Sequence, residues 1–206
     1  MKTITIIKEV YSFNELGEDA KEKAMNEYRE NALDYEWYDC SYEGAKEIGA
    51  LIGINIDKIY FSGFFSQGDG ACFEGHYEYK KGGLKAIKAY APLDTTLHAI
   101  ARDLQIVQKR NFYKLSAKVK QSGHYMHERC TAVQVYKDYE YFFDTDDSCA
   151  RGSTHDGAGV VEALRDFMQW IYSQLEKEHD YLQSDASVTE MILENEYEFT
   201  IEGELA

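Results

Sequence analysis

The sequence predicts an α+β fold in which a largely antiparallel sheet with two β-hairpins carries four to five helices. Residues 54–79 place two runs rich in Ile, Phe and Tyr around a glycine-containing turn, a pattern typical of a hairpin. Residues 112–136 alternate apolar and polar side chains on both sides of a second turn. Elsewhere, apolar residues recur every three or four positions, which indicates amphipathic helices. A chain of 206 residues can bury a full core, and we expect one domain over residues 1–206.

The first elements along the chain are a strand and a helix. Residues 2–10 alternate in a way that suits a strand with one face better buried than the other. Ser12 and Glu15 have the spacing of a capping box, in which each side chain bonds the backbone of the other residue. Apolar residues then recur every four positions, so the pattern predicts a helix from this box to about Asn31.

A second helix is predicted from Trp37 to Gly53, because one apolar stripe runs along it and a glycine can end it. The opposite face of this helix is acidic. Gly44 and Gly49 lie in its interior, where each glycine costs about 1 kcal/mol relative to alanine. We therefore expect both glycines to permit close packing against the hairpin that follows.

The middle of the chain adds a turn, a third helix and the second hairpin. Residues 80–83 contain two lysines and two glycines and are predicted to form a turn or hinge. Pro92, the only proline, is expected at the start of a helix with a broad apolar face. A strand with a basic outer side is predicted over residues 112–120, and its partner strand over residues 125–136.

The last part of the chain is predicted to contain a loop, two helices and a strand. Residues 144–159 are rich in Asp, Gly and Ser, which favours a polar loop. An amphipathic helix follows over residues 160–175, and a short helix begins at Ser187. Residues 197–201 alternate aromatic or apolar residues with acidic ones, and we expect an edge strand there beside the N-terminal strand.

Charge is distributed unevenly along the sequence, whose net charge is −15. Residues 80–130 hold eleven Lys or Arg against three acidic residues, a balance of +8, so the rest of the chain carries −23. The basic centre and the acidic ends could pair with each other, serve solubility, or meet a partner of opposite charge.

The hairpin at residues 54–79 contains more glycine than a turn requires. Four glycines and four phenylalanines lie within residues 61–75, and a glycine inside a strand weakens it unless another backbone or a ligand comes close. One interpretation is a twisted, bulged hairpin that seats a helix; the other is a binding loop centred on Gln67 and Asp69. The candidate binding residues of this loop are Phe64, Ser66, Gln67, Gly68, Asp69 and Gly70.

A second candidate surface lies on the predicted hairpin of residues 112–136. Lysines on one side of its first strand, close to an arginine of the partner strand, would form a basic sheet face. An aromatic side chain beside them would suit single-stranded nucleic acid or a nucleotide, and the other interpretation is a solvated face. The candidate residues are Phe112, Lys114, Lys118, Lys120 and Arg129.

Two groups contain residue types that bind metals. His124, His127 and Cys130 suit zinc by type, but on a strand His127 would face away from the other two, which favours packed or solvated histidines. The densest group of hard ligands is Asp144, Asp146, Asp147 and His155. These residues suit magnesium or calcium, although the distant Glu of a calcium loop is missing. An Asp-rich turn is the favoured interpretation, and a small metal-dependent hydrolase is the alternative.

Known catalytic signatures are missing from the sequence, including the phosphate-binding loop, the dinucleotide-binding glycine motif, the serine-hydrolase elbow and the zinc-protease motif. We therefore expect a protein that acts without catalysis and without a cofactor. No apolar run approaches the about 20 residues of a membrane span, and no signal-peptide pattern opens the chain. The four cysteines are scattered and are expected to be reduced. These features predict a cytoplasmic protein that does not associate with membranes.

Residues 11–16, 20–24 and 59–75 resemble a family of small bacteriophage and prophage proteins that often carry the label of an antitoxin from a toxin–antitoxin stability system. The motif SGFFSQGDGACFEG at residues 62–75 is the most specific part of this likeness. The resemblance covers roughly residues 1–80 and continues weakly at residues 123–127. It implies a mobile-element origin, a place in the host cytoplasm, and an accessory role such as neutralising a toxin or a host defence factor. It implies no catalytic residue.

Charge, composition and resemblance together favour a binding protein that inhibits or neutralises a partner. It would present an acidic, tyrosine-rich surface to a basic host or toxin protein, because −23 lies outside the basic centre and the chain has 17 tyrosines. Opposite charge would speed such an encounter by electrostatic steering. The nucleic-acid or nucleotide binder and the metal-dependent hydrolase are the alternatives.

Overall fold

Most of the helices and strands lie where the periodicity of apolar residues predicts them. The computed structural model describes residues 8–31, 33, 35–138, 140–144 and 155–206, and for residues 141–144, 155 and 156 only the backbone. Within this part, the strands are β1 (Tyr11–Ser12), β2 (Ile54–Ser62), β3 (Gly70–Glu78), β4 (Leu115–Gln121), β5 (Thr131–Lys137), β6 (Glu140–Asp144) and β7 (Glu198–Phe199). The α-helices are α1 (Glu18–Asn31), α2 (Asp39–Ile52), α3 (Gly83–Tyr90), α4 (Thr95–Arg110), α5 (His155–Leu182) and α6 (Asp185–Glu194). The fold is α+β, as the sequence predicts.

Contacts between Cα atoms divide the chain into two compact units. The central unit is Tyr38–Glu176, and the terminal unit combines Met1–Trp37 with Lys177–Ala206. Two compact units are compatible with one folding domain or with two. One domain over residues 1–206 therefore stays a prediction.

The central unit is built on a five-stranded antiparallel sheet with the order β2-β3-β4-β5-β6. The predicted hairpin of residues 54–79 is confirmed, with Ile54 opposite Tyr77 and a bulge between Ile56 and Lys58. Gly75 faces this bulge at φ 155°, and a Cβ atom there would lie 2.0 Å from the carbonyl oxygen of Asn55. Only glycine fits this position, because any side chain would collide with the neighbouring strand.

One face of this sheet carries the core of the central unit. Phe73 of β3 is fully buried, and its ring meets that of Phe167 in α5 edge to face at 6.3 Å. The prediction of close packing is confirmed for Gly49 of α2, where a Cβ would lie 2.9 Å from the carbonyl oxygen of Ile54. It is wrong for Gly44, since nothing lies within 4 Å of a Cβ built there.

A buried side-chain network ties α4 to the sheet. Gln108 is fully buried, and its Nε2 donates hydrogen bonds to the Tyr77 hydroxyl at 3.1 Å and the Leu115 carbonyl at 2.7 Å. The Leu115 N–H donates to Oε1 of Gln108 at 3.2 Å. Burial raises the pKa of Tyr77 to about 12, so its hydroxyl remains a neutral partner. One glutamine thereby satisfies backbone groups at the start of β4 that would otherwise be buried without partners.

The terminal unit joins the two ends of the described chain in a small sheet. β1 and β7 pair antiparallel, with Tyr11 opposite Phe199, so the last strand pairs with residues that follow the strand predicted over residues 2–10. Beneath them α1 packs against α6 around a separate apolar core, formed by Phe13, Leu16, Ala24, Val188, Ile192 and Phe199. The Ser12–Glu15 capping box forms, but it closes a 3-10 turn over Phe13–Glu15. α1 therefore begins later than predicted, at Glu18.

Several predicted boundaries are wrong among the helices and strands. Residues 81 and 82 form a turn, as predicted, and lead into α3, a short helix that the sequence patterns do not predict. The strand expected over residues 125–136 begins only at Thr131, because residues 128–130 form a 3-10 turn. Of the predicted loop of residues 144–159, residue 144 belongs to β6 and residues 155–159 belong to α5, which begins at His155. The strand predicted over residues 2–10 falls mostly on residues outside the described part, and residues 8–10 form none.

Candidate functional site

The loop between β2 and β3 holds the first set of candidate binding residues. Oδ2 of Asp69 accepts hydrogen bonds from the backbone N–H groups of Phe65 at 3.0 Å and Ser66 at 2.7 Å. The Asp69 N–H donates to the Ser66 carbonyl at 3.1 Å. The carboxylate of Asp69 thus folds its own loop, in the way that aspartates commonly stabilise turns.

Two glycines let a second segment approach this loop. A Cβ at Gly68 would lie 2.8 Å from the ring of Tyr125, and a Cβ at Gly70 would lie 3.0 Å from the Cα of His127. The excess of glycine in the motif is therefore explained by a neighbouring stretch of the same chain.

An aromatic cluster fixes the other side of the loop to helix α5. Phe64 lies between Phe61 at 4.9 Å and Tyr172 at 5.4 Å, measured between ring centroids, and the Tyr172 hydroxyl donates to the Gly63 carbonyl at 3.3 Å. These contacts fit the interpretation of a hairpin that seats a helix. Ser66 and Gln67 are exposed at the tip of the loop, and binding through them stays a prediction.

The five residues proposed for a basic face do not share one face. Phe112 has φ 57° and lies in the turn before β4, and Lys114, also outside the strand, pairs with Asp138 at 2.9 Å. Arg129 lies in the 3-10 turn before β5, with its Nε 3.7 Å from Glu128. Only Lys118 and Lys120 stand together on the outer face of β4. The strand was expected to begin at residue 112, and its later start removes the predicted alignment.

The outer face of the sheet is mixed in charge. Strands β2, β3 and β4 place three lysines and three carboxylates in its exposed or half-buried positions, namely Lys58, Lys118, Lys120, Asp57, Glu74 and Glu78. Glu74 accepts hydrogen bonds from the Tyr60 hydroxyl at 3.0 Å and the Gln121 N–H at 3.3 Å. Phosphate groups would meet as much negative as positive charge on this face.

A shallow cavity of about 400 Å³ opens on this outer face beside the bulge, and Gly75 is among the residues that line it. Polar side chains line it, including Asp57, His76, Glu78, Ser116, Lys118 and Tyr136. This site is not evident from the sequence, because its residues come from four strands whose register the sequence does not specify. Such a site could bind a small polar ligand through hydrogen bonds to both charge types.

No described part of the chain gathers three His, Cys, Asp or Glu side chains that could hold a metal ion. His127 instead accepts a hydrogen bond on Nδ1 from the Arg129 N–H at 3.2 Å, and the ring of His124 packs against Tyr125. Residues 125–130 form no strand, so the expectation that His127 lies on the strand face opposite His124 and Cys130 is wrong.

The Asp-rich candidate site lies largely outside the described residues. Asp146 and Asp147 are not described, and of Asp144 and His155 only the backbone is described, at the end of β6 and the start of α5. The metal-dependent hydrolase therefore stays a prediction.

Among the cysteines that the structure describes, Cys72 is the one buried in the core. Cys72 is fully buried, and burial raises the pKa of its thiol to about 11, so the thiolate form is disfavoured at neutral pH. Cys40, Cys72 and Cys130 are free thiols, as expected, whereas Cys149 lies outside the described residues.

The two units differ sharply in charge. The terminal unit holds 6 Lys and Arg against 18 Asp and Glu, a formal net charge of −12. The central unit holds 16 against 19, a net charge of −3, and includes the whole basic stretch of residues 80–130. The acidic ends that the sequence separates by more than a hundred residues therefore form one acidic body.

Three of the six basic residues of the terminal unit form ion pairs within it. Lys21 pairs with Glu18, Lys23 pairs with Glu204 at 2.7 Å, and Arg29 pairs with Asp185. Four exposed glutamates of the same unit have no ion-pair partner among the described residues: Glu190, Glu194, Glu198 and Glu202. A surplus of solvent-facing negative charge remains on this unit.

The chain matches the sequence model of one family, described as "Domain of unknown function (DUF8835)", over residues 37–185. The match contains the whole central unit and stops short of most of the terminal unit. No curated protein and no solved structure matches the chain. Among the described residues, no helix is both long and apolar enough to span a membrane.

Proposed function

The chain belongs to the DUF8835 family, whose description names no activity, and we propose from its charge distribution that it acts by binding a basic protein through its terminal unit. The terminal unit is the acidic body, and its net charge of −12 is the observation that carries the proposal. A partner with a basic surface would be attracted over a distance of about 8 Å at physiological salt. Such steering raises association rates and selects partners by charge.

The role that we propose for this binding is inhibition or neutralisation of the partner. The phage-like hairpin motif at residues 62–75 supports a mobile-element accessory protein, and a toxin or host defence factor with a nucleic-acid-binding surface would be basic. An acidic, tyrosine-rich body can occupy such a surface in place of nucleic acid, because carboxylates replace phosphates and tyrosines contribute contact area at interfaces. Action of this kind would take place in the cytoplasm and would need no catalytic residue.

Affinity capture with matched charge variants tests the proposal. In the terminal-neutral variant, Glu190, Glu194, Glu198 and Glu202 become glutamine. In the central-neutral variant, four exposed acidic residues of the central unit become the corresponding amides, namely Glu47, Asp103, Glu140 and Glu176. Both variants lose four negative charges and differ only in where the charges lie.

We expect wild-type and central-neutral protein to capture the same basic protein from bacterial extract at low salt. The terminal-neutral variant should capture much less of it, because the local field is weakened where the partner binds. Equal capture by both variants would contradict the proposal, as would recovery of no specific protein by the folded wild-type chain.

A further inference from the structure

A cavity of about 290 Å³ opens in the terminal unit between α1 and β7. Ala24 and Phe199, which are 1% and 3% exposed, form its buried part. The aromatic rings of Tyr28, Tyr35 and Tyr197 also line it. This volume is at the lower end of the range for ligand-binding cavities and suits a small polar group or a single amino-acid side chain. All five residues lie outside the family match at residues 37–185.

The aromatic side chains are arranged at angles to one another. The ring centroids of Tyr28 and Tyr197 lie 6.1 Å apart with the planes tilted by 54°. Burial and the neighbouring hydroxyls of Tyr197 and Tyr35 raise the pKa of Tyr28, so this phenol is neutral at physiological pH. Faces of neutral aromatic rings attract cations that approach within about 6 Å of a ring centroid.

Hydrogen-bond acceptors accompany these rings. Glu27 lines the cavity and has no ion-pair partner among the described residues. The side-chain amide of Asn31 donates to the Glu27 carbonyl at 3.0 Å, which leaves its oxygen as a second acceptor. The net charge of −12 on this unit disfavours an anionic ligand in the cavity. A neutral apolar ligand would gain nothing from the carboxylate of Glu27.

We propose that this cavity receives an arginine side chain of the basic partner, with Tyr28, Tyr35 and Tyr197 against the guanidinium and Glu27 as its anion. The inference rests on the proposed function, since the arginine belongs to that partner. A guanidinium is planar and weakly hydrated, stacks on aromatic rings, and donates in parallel to both oxygens of a carboxylate. A lysine ammonium matches the charge but is more strongly hydrated and does not offer the planar pair of donors.

An NMR titration of the full-length protein tests this inference with three short peptides. Acetyl-Gly-Arg-Gly-amide is compared with the same peptide carrying citrulline, which keeps the shape without the charge, and with the lysine peptide. We expect the arginine peptide to shift signals of the cavity residues and the citrulline peptide to bind about tenfold more weakly or worse. The lysine peptide should bind with intermediate affinity.

Variants identify the site of this binding. Glu27→Gln should weaken binding of the arginine peptide about three- to tenfold, and Tyr35→Leu about two- to fivefold. Tyr35 is 60% exposed, so its replacement is not expected to unfold the unit. Tyr181→Leu is the control, because Tyr181 is 58% exposed in the same unit and lies outside the cavity. This control should leave the affinity unchanged.

Equal affinity for the arginine and citrulline peptides would overturn the inference, as would wild-type affinity in a folded Glu27→Gln variant. If Glu27→Gln and Tyr35→Leu capture the basic partner as well as wild type does, while the terminal-neutral variant does not, the inference fails and the proposed function stands. If no basic protein is captured but the arginine peptide binds selectively, the proposed function fails and the preference of the cavity for arginine stands.

Discussion

Replacing Gln108 by leucine should cost far more stability than any exposed change in the same helix. The side chain makes three buried hydrogen bonds, two with the backbone of Leu115 and one with the Tyr77 hydroxyl. Leucine fills similar space but leaves those groups without partners, at about 1–3 kcal/mol each. Burial of the new apolar side chain returns about 1–2 kcal/mol. The three groups together cost about 3–9 kcal/mol, so the expected net loss is about 1–8 kcal/mol, a large part of the about 5–15 kcal/mol that holds a typical protein folded.

Urea unfolding followed by circular dichroism measures this loss. The matched control is Gln105→Leu, the same chemical change at an exposed position of α4, which should stay within about 0.5 kcal/mol of wild type. Adding Tyr77→Phe tests the hydrogen-bond network itself, since it removes the Tyr77 hydroxyl, one of the groups that Gln108→Leu leaves without a partner. Tyr77→Phe should cost less in the Gln108→Leu background than in wild type. Equal losses for Gln108→Leu and Gln105→Leu would refute the reasoning.

Three further predictions concern the bulge, a buried thiol and the outer sheet face. Gly75→Ala should destabilise by about 2–4 kcal/mol, because its Cβ would collide with the backbone of β2, whereas Gly44→Ala in open space should stabilise by roughly 1 kcal/mol; thermal or urea unfolding measures both. Folding raises the thiol pKa of Cys72 from 9.0 to about 11, so the thiol ionises at a lower pH in the unfolded chain than in the folded one. The free energy of unfolding should therefore be unaffected by this group below pH 9 and should fall by up to about 2 kcal/mol as the pH rises to 11. In Cys72→Ala, urea unfolding over the same pH range should show a smaller fall. Labelled single-stranded DNA should not bind at about 50 mM salt, since acidic groups balance the outer-face lysines; binding that Lys118→Glu and Lys120→Glu abolish would instead support the nucleic-acid alternative.

Much of the fold follows from local sequence signals. The end of α2 at Gly53 is predictable because glycine tolerates the left-handed conformation that ends many helices, and Gly53 adopts it at φ 87°. Helix α4 and the first hairpin were predicted from their periods of about 3.6 and 2 residues. Helix α3 was missed because it has only eight residues, and burial of Ile87 in the core stabilises it more than any local pattern does.

The candidate sites could be predicted less well than the fold, because their residues are brought together by tertiary structure. Lys118 and Lys120 were placed correctly on one side of β4, but Phe112 has a positive φ that no period reveals. The cavity of the terminal unit joins Tyr28 of α1 to Tyr197 at the other end of the chain. The predicted pairing of the terminal strand with the N-terminal segment was the only signal that could have brought them together.

The association rate of the captured partner, measured at about 50 mM and about 200 mM salt, tests most directly whether the acidic terminal unit is the binding surface. We predict that the rate falls steeply over this range for wild-type and central-neutral protein, because screening shortens the reach of the acidic field. In the terminal-neutral variant the rate should be lower at about 50 mM salt and should depend less on salt. A rate that is independent of salt, or one that falls equally with salt in all three proteins, would contradict the account.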